Sequence, residues 1–216
     1  MRAFLKLSSL LLFLFTACKA PYYARLVQQN NTGKSAFKYK AGFDKQLYRC
    51  IVDGRAVFKK FHLSGVLFFK QLDDGSTRAI FQNEMGFTFF DFEWSKNDSF
   101  KVNTIIPQLD KPAVIKTLEK DLNLLLMKRL DVASETVYKS GDETYYRFSL
   151  EKGYAYYVEK SARLMRIDNT GDKRLVTEIL LNGKNGPHEL PDSVLFRHLK
   201  ANFTIELNKI ASHADE

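Results

Sequence analysis

Cysteine, histidine and long apolar runs are scarce in this sequence, and each scarcity closes off a class of function. Of the 2 cysteines, Cys18 ends the N-terminal apolar run, so Cys50 has no intramolecular disulfide partner once Cys18 is modified. Within LYRCIV, Cys50 reads as a small apolar residue of a strand. The 4 histidines, His62, His188, His198 and His213, stand too far apart for a compact ligand motif, which argues against a metal site. Phosphate-cradling glycine loops and serine-nucleophile motifs are absent, so no residue set supports an enzyme mechanism and no cofactor is expected. The longest apolar run, 7–15, is too short for a permanent bilayer-spanning helix. No internal repeat or second domain is evident.

The N-terminus, MRAFLKLSSLLLFLFTAC, is laid out as an export signal, with Arg2 and Lys6 ahead of the apolar run. It closes on Phe15, Thr16, Ala17 and Cys18, which resembles a bacterial lipobox: small residues precede a thiol that takes a diacylglyceryl group. An ordinary signal peptide with an incidental cysteine is the alternative. Residues 1–17 are therefore expected to be a signal peptide, Cys18 the site of lipid attachment, and 18–35 a tether of little periodicity. Lys19 replaces the aspartate that, by likeness to Gram-negative sorting, would retain a lipoprotein at the inner membrane. The expected location is the outer membrane, lipid-anchored and facing the periplasm. Residues 36–210 suffice for one domain with a sizeable core, and 211–216 form a polar tail.

Loss of Arg2 and Lys6 with the signal lowers the formal charge from +8 to +6. That excess suits anionic lipid head groups or an acidic protein partner, and equally a solvated surface with no specific ligand. Nucleic acid is not an expected partner, because export removes it and no basic cluster has the spacing of a reading element.

From Ala36 to Ile106 the pattern is strand after strand: AFKYK, LYRCIV, RAVFKKF, LSGVLFFKQL, STRAIFQN, GFTFFDFEW and SFKVNTII. Asp53-Gly54 and Asp73-Asp74-Gly75 read as tight turns between them. Links this short leave no room for crossover helices, which disfavours a doubly wound parallel sheet. Leu109 to Leu130 then reads as a helix, capped by Asp110, with Pro112 in its first turn and an apolar stripe of Val114, Leu118, Leu122 and Leu125. Asp121 falls at the stripe's edge, within reach of water. Strands resume at 136–138, 144–150, 154–159, 163–168, 174–182 and 203–210. Leu190, Val194, Leu195 and Phe196 lie in a turn-rich connection, available to pack back. The expected fold is mainly β with an inserted helix, an incomplete antiparallel β-barrel of about eleven strands with an α-helical lid.

The chain carries 18 phenylalanines and 10 tyrosines, many within the strands. Phe68, Phe69, Phe81, Phe87, Phe89, Phe90, Phe92 and Trp94 exceed what a flat, one-sided sheet hides, so they either fill a core or line a cavity.

The fragment LSGVLFFKQLDDGSTRAIFQNEMGFTFFDFEWSKNDSFKV resembles the early meander of the LolA/LolB-like family, nearest its outer-membrane receptor branch, and the likeness extends over about residues 47 to 210. The resemblance implies an apolar cavity under a lid helix, acylated lipoproteins as cargo, a LolA-like periplasmic carrier as donor and outer-membrane lipid as destination; the chain is expected to be a monomer. It also places a membrane-insertion loop on Glu84, Met85 and Gly86, with Met85 as the exposed apolar residue. Val66, Phe68, Ile80 and Phe90 are then assigned to the acyl-binding cavity, closed from the helix by Leu118, Leu122 and Leu125. The opposite strand faces carry Leu67, Phe69, Phe81 and Phe89, so alternation leaves a second assignment open. Competing functions are a carrier of phospholipid or glycolipid acyl chains and a non-enzymatic structural lipoprotein with a filled interior.

Overall fold

The structure, a computed structural model, describes residues 23–30, 33, 35–56, 59–171, 174–183, 185–200 and 203–211. The expected signal peptide, Cys18 and residues 212–216 of the tail lie outside the described residues. Among the described residues thirteen strands form one sheet. In chain order they are β1 (Val27–Gln28), β2 (Gln46–Ala56), β3 (Lys59–Gln71), β4 (Thr77–Gln82), β5 (Thr88–Trp94), β6 (Phe100–Ile105) and β7 (Thr136–Ser140). β8 (Glu143–Ser149), β9 (Tyr154–Lys160), β10 (Arg163–Thr170), β11 (Leu175–Asn182), β12 (Ser193–His198) and β13 (Phe203–Lys209) complete it. The spatial order is β1-β7-β8-β9-β10-β11-β12-β13-β2-β3-β4-β5-β6, with every neighbouring pair antiparallel. The outer strands β1 and β6 do not pair with each other, so the barrel stays open.

Between β6 and β7 lies α1 (Pro112–Leu125), the one α-helix among the described residues. Its cap is Lys111 rather than Asp110: the Lys111 carbonyl accepts from the Val114 and Ile115 amides, and no side chain caps the helix. Pro112 at the first helical position needs no amide partner, so the start survives without an acidic cap.

Register explains the core. Val137, Tyr146, Tyr157, Ile167, Ile179, Phe196, Ile205 and Val52 each pair directly with the next across eight adjacent strands, giving one apolar row on one face. A flat sheet of thirteen strands would be on the order of 60 Å wide, several times a helix diameter. Yet the single helix meets residues from β2, β3 and β5 on one side and β10 and β11 on the other. The sheet must therefore curl around α1, with that row on its concave face.

Three local expectations are corrected. AFKYK forms a 3-10 turn, Ala36–Tyr39, capped by Ser35, because Ala36 and Tyr39 are drawn together into the core. Asp53-Gly54 is no turn; β2 runs through it to Ala56, and Gly54 is needed where a Cβ would come within 2.4 Å of the Phe61 ring. Ser193–His198, in the connection expected to be irregular, is strand β12, held between β11 and β13.

The presumed tether carries structure from Tyr23 onward. Tyr23 lies on the convex face, where its hydroxyl donates to Asp168 and its ring packs against Tyr145 and Tyr156. Val27 and Gln28 pair with the edge of β7, and Ala36, Tyr39 and Phe43 then join the concave core. The segment is a strap folded around the sheet edge.

Candidate functional site

Two features stand apart from simple packing: an apolar tip at one end of the sheet and a helix closed over its concave face. The tip is the hairpin between β4 and β5. Asn83 builds it, its side-chain oxygen accepting from the amides of Met85 (3.0 Å) and Phe87 (2.8 Å) while its backbone pairs with Phe87 and Gly86. Gly86 sits at φ +81°, a conformation that disfavours any side chain. Met85 is consequently held out into solvent at 90% exposure, with Phe87 at 57% beside it and Glu84 also exposed. Phe87 leans edge-on against Phe89, which rests on buried Phe81, so a ladder of rings ties the tip to the core.

The helix contributes Leu118 and Leu122 to a small apolar void shared with Phe90, Leu67, Cys50 and Leu207. Its far end places Leu125 and Met127 against Tyr39, Phe43, Leu164 and Ile167 around a second void. Each void is about 20 Å³. That is room for about one water, far below the roughly 300–1,000 Å³ of a ligand pocket.

The sequence-derived cavity set therefore divides. Phe90, Leu118 and Leu122 come together at the first void, and Leu125 lies at the second. Val66, Phe68 and Ile80 belong to the opposite face, because Leu67 pairs with Phe81 and Phe68 with Ile80, and it is Leu67, Phe69 and Phe81 that are buried inside. Both faces of β3 are apolar, so alternation could not choose between them. On the convex side, partly exposed Ile80 stands opposite Asp91, which binds the Arg78 guanidinium. Leu67, Phe81 and Cys50 are the residues that the correct parity adds.

Asp121 is also displaced from expectation. It is buried, and its carboxylate meets the His198 ring 2.6 Å away, because β12 brings His198 beneath the helix. Burial raises the Asp121 carboxyl above its ordinary range, opposed by the hydrogen bond from His198. Burial likewise pushes the Cys50 thiol up to about 12, which keeps it protonated and inert. Tyr157 donates from the sheet to the Leu124 carbonyl at 2.7 Å, and Lys120 donates to Asn169 at 2.7 Å. Among the described residues no cluster of His, Cys, Asp or Glu is placed to hold a metal ion.

At the end opposite Met85 an open groove of about 960 Å³ lies between Phe43, the β3–β4 turn and the residues after α1. Lys40, Lys128 and Lys209 face Glu189 and Asp192 across it, so it has no dominant charge.

No protein-family model matches the chain, and no curated protein matches it at a significant level. Among solved structures it is similar to a putative outer membrane lipoprotein-sorting protein domain from Vibrio parahaemolyticus, at 6% identity over 80% of this chain and 86% of that one, with a TM-score of 0.45. It is also similar to a LolA superfamily protein from Nitrosomonas europaea, at 9% identity over 82% of this chain and 88% of that one, with a TM-score of 0.45.

Proposed function

We propose that this protein is a membrane-anchored acceptor of acyl chains, which receives acylated lipoproteins from a periplasmic carrier and passes them into the outer membrane. The observation that carries the reading is Met85: a large apolar side chain fixed in full solvent exposure by a hairpin tied to the core. Folding gains nothing from that exposure, and a bilayer surface gives it a use.

Energetics support the second half of the proposal. Exposing an acyl chain to water costs about 0.8 kcal/mol per CH₂, on the order of 12 kcal/mol for one long chain. Leu118, Leu122, Leu124, Leu125 and the following Leu126 and Met127 are buried against the sheet. At about 2 kcal/mol apiece they contribute on the order of 10 kcal/mol. An acyl chain that displaces this stripe replaces one apolar cover by another of similar worth, so the swap is close to balanced and reversible. The described interior is the closed state, and the helix must lift before cargo fits.

The near absence of internal space favours one other reading, a structural lipoprotein whose core stays filled. A transfer assay separates them. The anchored protein is mixed with an acylated lipoprotein held by its carrier, and arrival of the cargo in liposomes is scored. Arrival that depends on this protein and is lost with Met85→Glu is expected. Arrival unaffected by Met85→Glu sinks the role of the tip, and no arrival with an active carrier sinks the receptor reading.

A further inference from the structure

The two ends of the curled sheet differ in charge as well as in apolar exposure. Strands β2, β4, β8, β10 and β12 end, and β3, β5, β9, β11 and β13 begin, at the rim that carries Met85. Of the exposed large apolar residues, Phe87, Tyr154 and Leu199 share that rim with Met85. Around them stand Arg55, Lys60, Lys111, Lys152, Arg174 and Lys200, all exposed. None of these six makes an ion pair within 4.0 Å among the described residues. Among the described residues Glu84, Asp110 and, before β7, Asp131 oppose them there with no ion-pair partner, while Glu151 is taken by Lys116 and Asp53 by His62. At the opposite rim exposed Asp44, Asp73, Asp74, Asp142, Glu189 and Asp192 stand among exposed Lys40, Lys45, Lys96, Lys160 and Arg163, so among the described residues no such excess builds up.

We infer that the Met85 rim is a docking surface for anionic phospholipid head groups. The clustered cations meet the lipid phosphates while Met85, Phe87, Leu199 and the amphipathic Tyr154 reach the interface. Charge complementarity selects this occupant: an apolar tip alone suits any bilayer, whereas a ring of unpaired lysines and arginines around it gains only from a negative one. The inference rests on the reading of Met85 as a membrane-touching residue and adds the lipid class that the surface prefers.

The test uses the chain with Cys18→Ser, which removes the acylation site, in co-sedimentation with vesicles of phosphatidylcholine alone or mixed with phosphatidylglycerol. Binding to the mixed vesicles is expected to exceed binding to neutral ones at least tenfold at low salt and to fall as salt rises, as expected of roughly one favourable increment per basic residue. The triple change Lys111→Glu, Lys152→Glu and Lys200→Glu should abolish that preference. The control Lys45→Glu, Lys96→Glu and Arg163→Glu, which alters net charge equally at the other rim, should retain it. Equal binding to both vesicles, equal loss in both triple variants, or no vesicle binding at all overturns the proposal, the last pointing to an acidic protein partner instead. Charge-selective binding that survives Met85→Glu leaves the head-group surface standing and removes the insertion role; binding lost with Met85→Glu yet indifferent to lipid charge does the reverse.

Discussion

The Nε2 atom of His198 lies 2.6 Å from the Oδ2 atom of Asp121, with both side chains sealed between helix and sheet. Among the described residues Asp121 Oδ1 and His198 Nδ1 have no hydrogen-bond partner, and the His198 ring stacks on Phe203 at 3.8 Å. Such a pair is costly to bury and costlier to break, because removing one member strands the other. His198→Leu is therefore expected to destabilise the fold by about 3 kcal/mol, while the double change Asp121→Leu with His198→Leu recovers most of the loss. Urea unfolding of the four members of the cycle measures the coupling; additive losses would show that the two groups act independently.

The same carboxyl makes stability depend on pH. Burial, opposed by the His198 hydrogen bond, leaves the folded-state pKa of Asp121 above its unfolded value. Folding then takes up a proton, so this group's contribution is fully present below the unfolded pKa and is lost as pH rises through the folded one. Asp121→Asn cannot titrate. Its stability deficit relative to the parent should shrink as the pH is raised from about 4 to about 8. A deficit that widens over that range would contradict the assigned direction.

Cys50 offers an internal reporter of lid movement. It shares the void with Leu118, Leu122 and Asp121, and burial holds its thiol near 12. In a Cys18→Ser background it should resist a thiol reagent at neutral pH. Acyl ligands or His198→Leu should speed labelling by at least about tenfold, since reaction requires both exposure and a thiolate. Labelling that follows only global unfolding would mean that α1 does not open separately.

The strap around the sheet edge predicts a local effect. Tyr23→Ala removes the hydroxyl that binds Asp168 and the ring against Tyr156. Cleavage by a protease near Arg25 should accelerate, whereas the global unfolding midpoint should shift by less than the equivalent of about 1 kcal/mol. Unchanged cleavage would show that the pairing of Val27 and Gln28 with β7 holds the segment alone.

The sheet, its open form and its single helix were legible because strand alternation and the spacing of Val114, Leu118, Leu122 and Leu125 are strong local signals. Facing was not, since Val66, Leu67, Phe68 and Phe69 are apolar in succession and only the pairing of Leu67 with Phe81 decides which side is buried. Asp121 misled for a related reason: a carboxylate on a helix flank suggests water, and its partner lies 77 positions away on β12. Asp53-Gly54 resembled a turn, but its glycine serves the close approach of Phe61. Met85 was singled out only through the resemblance of its loop, and its exposure rests on neighbours within that loop, Asn83 and Gly86.

The pairing of β2 with β13 has a consequence for how the chain is made. Cys50 lies opposite Leu207, and Tyr23 reaches Asp168 across 145 positions, so segments synthesised early wait for partners made much later. Until β13 emerges, β2 has one ladder edge unsatisfied and the sheet exists as two unconnected halves. Loop closure over such separations is slow. The nascent chain therefore spends its growth with an open β2 edge and exposed aromatic rings, a state open to edge-to-edge association until β13 pairs.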